Sequence, residues 1–145
     1  MEMNPYLTFP GTCLEAFEFY AEVFGGGVSN VQRVAESPMA ADFPPEAQGK
    51  VMHARVSIGN GLLMGSDNIM GGEAEAKGFH IQAGFDDPQK AARVFARLAK
   101  NGEIEMAFAP TFFATGFGMC RDRYGIPWMI NCDTPADDAP AHESH

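Results

Sequence analysis

A chain of 145 residues suits one packed domain, and 46% hydrophobic with 11% aromatic content is ample to fill its core. A formal charge of −9, with no cluster of Lys or Arg to offset it, excludes nucleic acid and anionic lipid as partners, and no apolar run approaches a membrane span. Met1 to Tyr6 lacks the basic start and long apolar stretch of a secretory signal, so the expectation is a soluble cytoplasmic protein. Three cysteines, Cys13, Cys120 and Cys132, match no metal or redox spacing and read as free core thiols.

In chain order, Asn4 to Phe9 is a short β-like run stopped by Pro10-Gly11. Thr12 to Glu15 fits a capping box, and Cys13, Ala16, Phe17, Tyr20, Val23 and Phe24 recur at helical steps opposite Glu15, Glu18 and Glu22. Gly25 to Gly27 ends that helix. Val28 to Val34 reads as a strand, and Ala35 to Lys50 as a long loop of the kind that serves as a lid. Val51 to Ile58 alternates: Met52, Ala54, Val56 and Ile58 make an apolar face, while His53, Arg55 and Ser57 share the other. Gly59 to Gly61 turns the chain into a strand from Leu62 to Ser66, and a second loop runs from Asp67 to Lys77.

Phe79 to Phe85 alternates again, with His80, Gln82 and Gly84 on the polar face. Asp86-Asp87-Pro88 starts a second helix, whose stripe is Ala91, Val94, Phe95 and Leu98 and whose stop is Asn101-Gly102. Glu103 to Ala109 is a strand and Pro110 to Thr115 a linking segment with the pair Phe112-Phe113. Phe117 to Cys120 and Pro127 to Cys132 then form a hairpin, in which Asp122 can bond the backbone two residues on and Gly125 can take a positive φ. From 133 to 145 the composition turns to Asp, Ala, Pro and Ser, which reads as a disordered acidic tail.

The order strand, helix, strand, strand, strand thus occurs twice, and at a shift of about 75 residues Ala16 falls on Ala91, Tyr20 on Phe95 and Gly27 on Gly102. Each unit supplies a helix for one sheet face, so the other faces are expected to line a common cleft holding His53 and Arg55.

Such a repeat resembles the vicinal oxygen chelate superfamily, which includes glyoxalase I, extradiol dioxygenases and bleomycin-resistance proteins. Asn4-Pro5-Tyr6-Leu7, Ala16-Phe17-Glu18-Phe19-Tyr20, Val23-Phe24-Gly25-Gly26, Met52-His53-Ala54-Arg55, Leu63-Met64-Gly65-Ser66-Asp67 and Phe117-Gly118 through Trp128-Met129-Ile130-Asn131 resemble its PhnB-like branch. The resemblance implies an α+β fold: one domain, 1–132, of two βαβββ modules (4–67 and 78–132) making a curved mixed-sheet cup with helices on the outer face. The branch often carries a demethylubiquinone methyltransferase label, yet the chain has no Gly-rich loop after its first strand to hold a nucleotide-like methyl donor.

The resemblance also implies four metal-ligand slots, which fall on Pro5, Met64, His80 and Met129. Of these, His80 alone suits a hard or borderline cation, since Met thioethers favour soft ions. His53 joining His80 from a neighbouring strand, with Gln82 or Asp67 nearby, is the alternative route to a shifted site for Zn, Ni, Mn or Fe; the plainer reading has each His bonding a side chain or water. Arg55 suits a carboxylate or phosphate clamp or an internal pair with Asp67. Trp128 reads as core. Arg55, Met64, Gln82, Phe112, Phe113, Met129 and Asn131 are the expected ligand-binding set, with His53 and His80 as candidate bases.

Three functions compete on these residues. One is a binding protein for a small, partly apolar organic molecule. Another is a metal-assisted lyase, isomerase or dioxygenase, and the last a metal-free enzyme with a His base and Arg55 holding an anion. A homodimer is implied by the resemblance.

Overall fold

The computed structural model describes residues 1–133, in two compact units, Met1–Glu75 and the part from Ala76 on. The expected tail lies outside the described residues except for Asp133, which ends the last strand.

The first unit contains β1 (Tyr6–Phe9), α1 (Cys13–Phe24), β2 (Gly27–Arg33), β3 (Val51–Ile58) and β4 (Gly61–Asp67). Its sheet has the order β1-β4-β3-β2, with β1 parallel to β4 and the other pairs antiparallel. The α1 stripe buries Cys13, Ala16, Phe17, Tyr20 and Val23, as the helical spacing predicts, and Phe17 packs edge-on to Phe9 at 5.8 Å between ring centroids.

The capping box is not what starts α1. Thr12 makes no side-chain cap. Asp67, buried at the end of β4, takes the place instead: its Oδ1 accepts from the Cys13 N–H at 2.8 Å and its Oδ2 from the Val51 N–H at 2.9 Å. One carboxylate thereby satisfies the first turn of α1 and the first residue of β3, where a negative group also meets the positive end of the helix.

Between β2 and β3 the chain makes three short 3₁₀ turns, Val34–Glu36, Ala40–Asp42 and Pro45–Ala47, where the sequence suggests an irregular loop. Side chains hold these turns. Gln48 Nε2 donates to the Ala40 and Phe43 carbonyls at 2.9 and 3.1 Å, and Arg33 Nη1 to the Gly49 carbonyl at 3.1 Å. Such bonds stand in for a ladder that Pro44 and Pro45 cannot complete.

The second unit contains β5 (Ile81–Phe85), α2 (Pro88–Ala99), β6 (Glu103–Ala109), β7 (Ala114–Arg121) and β8 (Pro127–Asp133). The order β5-β8-β7-β6, with β5 parallel to β8, repeats that of the first. Both helices have 12 residues and begin 75 positions apart (13 and 88), matching the internal repeat. Asp87 caps α2 as expected, accepting from the Gln89 N–H at 2.9 Å. Gly26 and Gly102, which follow the two helices, sit where a Cβ would run into the Ser57 and Arg121 carbonyl oxygens, so each helix-to-strand corner lies directly on its sheet.

The β7–β8 turn is built as its residues suggest, and more tightly. Asp122 is 3% exposed; its Oδ1 accepts from the Tyr124 and Ile126 N–H groups at 2.8 and 3.0 Å, and its Oδ2 from Trp128 Nε1 at 2.8 Å. Gly125 has φ +86° and closes the reversal. Trp128 is core, 2% exposed. The strands reach beyond the expected arms, because Ala114 already pairs with Asp133. β1 and β5 each begin two residues later than expected, at Tyr6 and Ile81.

All three cysteines are free and buried. The Cys13 thiol is pushed up to about 12, first by burial and then by Asp67. Cys120 is likewise pushed up to about 12, by burial and then by Asp122 and Glu105. Well below pH 9 both thiols are protonated in the folded and unfolded chains alike. Between about pH 9 and 12 the unfolded chain sheds protons that the native one keeps, so each thiol lowers stability by about 1.4 kcal/mol per pH unit. Urea unfolding at pH 8, 9.5 and 10.5 checks this, and the Cys13→Ala, Cys120→Ala double variant loses that part of the slope.

Candidate functional site

In each unit, glycines show which face of the sheet meets the helix. A Cβ on Gly65 would lie 2.8 Å from the Phe17 ring of α1, and Gly65 stands directly opposite Leu7 and Ala54. Residues opposite one another across a ladder share a face, so Leu7, Gly65 and Ala54 look toward α1. The neighbouring row, Tyr6, Met64, Arg55 and Ser29, runs across all four strands on the far face. His53 is two residues along β3 on that same face, its Nδ1 3.5 Å from the Tyr6 hydroxyl and the two rings 6.0 Å apart. The alternation of β3 therefore places His53 and Arg55 as it suggests, away from the helix.

Asp67 is not available to Arg55 or to a metal. It lies on the α1 face and is engaged by two backbone N–H groups, which corrects both pairings weighed for it. Arg55 is half-buried, its Nε is fully buried, and that Nε has no hydrogen-bond partner among the described residues.

In the second unit a Cβ on Gly118 would lie 2.8 Å from the Phe95 ring of α2, and Gly118 stands opposite Ile130, itself opposite Ala83. The far face therefore carries the row Gln82, Met129, Met119 and Met106, with Phe117 and Asn131 paired beside it. Met119, Met129, Phe117 and Asn131 are half-buried, while Gln82 and Met106 are exposed. Phe113 packs edge-on to Phe117 at 5.2 Å and to Phe112 at 5.1 Å. Phe112 is almost fully exposed. Asn131 Nδ2 donates to Asp133 Oδ1 at 2.7 Å.

His80, just before β5, has its Nε2 2.9 Å from Glu105 Oε1 on β6. Sequence reasoning did not single out Glu105. It lies within a break in the β6–β7 register between Ile104 and Met106, where strict alternation stops predicting the direction of a side chain. His53 is on β3 of the first sheet and His80 just precedes β5 of the second, so the two are not on neighbouring strands.

The four metal slots fit a hard or borderline divalent ion poorly. In the first unit Pro5 offers its carbonyl alone, which accepts from the Met64 N–H at 3.1 Å, and Met64 offers a thioether. In the second, Met129 is a thioether and His80 already has Glu105 as its partner. Among the described residues no three His, Cys, Asp or Glu side chains gather as a metal would require.

The chain is similar over most of its length to known proteins. Residues 1–131 match the family described as 3-demethylubiquinone-9 3-methyltransferase. Protein YjdN of Escherichia coli (strain K12) is 36% identical over 142 residues, spanning 90% of this chain and 95% of that one. Among solved structures, protein PA1353 from Pseudomonas aeruginosa is 38% identical with a TM-score of 0.83, covering 92% and 98% of the two chains. The Bacillus cereus PhnB protein, titled a putative 3-demethylubiquinone-9 3-methyltransferase, is 22% identical at 0.77, covering 91% and 99%. A glyoxylase/bleomycin resistance/dioxygenase domain from Frankia sp. EAN1pec shares the fold at 14% identity and a TM-score of 0.64, covering 94% and 93%.

Proposed function

The chain belongs to the family described as 3-demethylubiquinone-9 3-methyltransferase, its PhnB-like branch on the vicinal oxygen chelate fold, and from that membership we propose that it binds a small, partly apolar organic molecule without a resident metal. The observation that carries this reading is the far-face row Gln82, Met129, Met119 and Met106 with Phe117 and Phe113 beside it. Thioethers and aromatic edges make a polarisable, adaptable surface that suits an apolar body, and Gln82 and Asn131 supply polar atoms at its margin. Arg55 and Met64 offer the same mixture on the first sheet. The homodimer and the cytoplasmic location expected from the sequence go with this reading. Among the described residues no helix is long and apolar enough to cross a membrane.

Methyl transfer is not part of the proposal. A nucleotide-like donor is held by a Gly-rich turn between a parallel strand and a helix, whereas here β1 runs through Pro10-Gly11-Thr12 into a helix whose first N–H is taken by Asp67.

A metal-dependent lyase, isomerase or dioxygenase is the second reading: His80 and Glu105, bonded to each other at 2.9 Å, are two side chains close enough to turn to one ion. Ligand-observed NMR with a fragment library, run in EDTA and again with Zn²⁺, Ni²⁺, Mn²⁺ or Fe²⁺, separates the two. The binding reading expects the same fragments to bind in both conditions. Fragments that bind with metal alone, and lose that dependence in His80→Ala and Glu105→Gln, would sink it.

A further inference from the structure

The far face of the first sheet holds a cation, Arg55, that no acid of its own strands neutralises. The four strands contain one acid, Asp67, which is on the α1 face and engaged by the Cys13 and Val51 N–H groups. Arg55 makes no hydrogen bond or ion pair with any described residue, although its Nε is fully buried. A fixed cation without an acceptor or counter-charge is costly, and native structures rarely leave one so unless something else supplies the oxygen.

We infer that Arg55 is the anchor of an oxyanion subsite that takes the carboxylate of a small organic acid, so the ligand class is an apolar body bearing one carboxylate. This rests on the binding reading above and narrows it. The Nε is covered, so the two Nη nitrogens are what a ligand meets, and their N–H groups take the two oxygens of a carboxylate end-on. Tyr6 and Ser29 lie in the same row, the hydroxyls that would flank such a group, and Met64 separates Tyr6 from Arg55, offering a thioether to the adjoining carbon chain. On a chain of net charge −9 an isolated cation of this kind is a local exception, and an anion is drawn to it selectively.

The test is calorimetric titration of the full chain with 4-phenylbutyrate, its neutral amide 4-phenylbutyramide, and inorganic phosphate, in wild type, Arg55→Lys and Arg55→Met. The acid binds wild type at least tenfold tighter than the amide, Arg55→Met removes that difference while changing the amide less than twofold, and Arg55→Lys falls between. Phosphate binding with the same dependence on Arg55 also supports the subsite and identifies the free anion as sufficient. Equal affinity for acid and amide, unchanged in Arg55→Met, overturns the subsite and leaves the binding reading intact; failure of both to bind overturns the two together. Stability supplies an independent check. Arg55→Met unfolds at the same urea concentration as wild type or higher, and an earlier midpoint means Arg55 already serves a structural partner, which overturns the inference.

Discussion

Asp122→Ala lowers the unfolding free energy by about 3–5 kcal/mol, because one side chain serves three donors in the β7–β8 turn and all three are left without it. The Ile126 N–H and the Trp128 indole are buried, so water cannot take over fully. Asp122→Asn discriminates between the parts of that loss. Its single oxygen can keep the Tyr124 and Ile126 N–H groups, while its NH₂ faces Trp128 Nε1, donor against donor. About half of the loss is therefore expected, and combining it with Trp128→Phe recovers some stability relative to the sum of the two single changes. Urea midpoints for the four proteins give the comparison. Additive losses would mean that the Asp122–Trp128 bond contributes little.

Asp67→Ala is the second large effect, again about 3–5 kcal/mol, since it orphans the first N–H of α1 and the first N–H of β3 together. It also removes one of the causes that raise the Cys13 thiol, so that thiol titrates lower in the variant. Thr12→Ala, by contrast, changes stability by less than about 0.5 kcal/mol, because Thr12 caps nothing through its side chain. The reverse ranking, with Thr12 costly and Asp67 cheap, would restore the capping box suggested by the sequence.

The contrast between Thr12 and Asp67 marks how far the sequence could be read. Signals confined to one turn or one period were legible: the stripe of α2 and its Asp87-Pro88 start, the alternation of β3, and the Asp122 to Gly125 turn follow from neighbours a few residues apart. Asp67 was not legible as a cap, because it reaches Cys13 from 54 residues away and the local Thr-x-x-Glu pattern offered a competing solution. The segment between β2 and β3 hid its turns for a related reason, since Gln48 and Arg33 hold them through side-chain bonds that leave no periodic trace.

For the candidate site the same division applies. Parity along β3 put Arg55 and His53 on the far face, and cross-strand pairing confirms that placement. That Arg55 lacks an acceptor depends on Asp67 pointing the other way, which requires knowing the register of β4. Glu105 was missed because the break in the β6 register separates its direction from the alternation around it. The Met106, Met119 and Met129 row likewise exists only once three strands are aligned, although each methionine was visible singly.

The central claim is that the sheet face turned away from α1 binds a small organic acid at Arg55. Methyl-¹³C methionine spectra of the full chain, titrated with 4-phenylbutyrate in the presence of EDTA, test it most directly. Met64 lies on that face beside Arg55, while Met39 and Met70 lie in exposed loops and serve as internal controls. The account predicts a saturable shift of the Met64 methyl with Met39 and Met70 unmoved. Shifts confined to the control methyls, or none at any concentration, would contradict it.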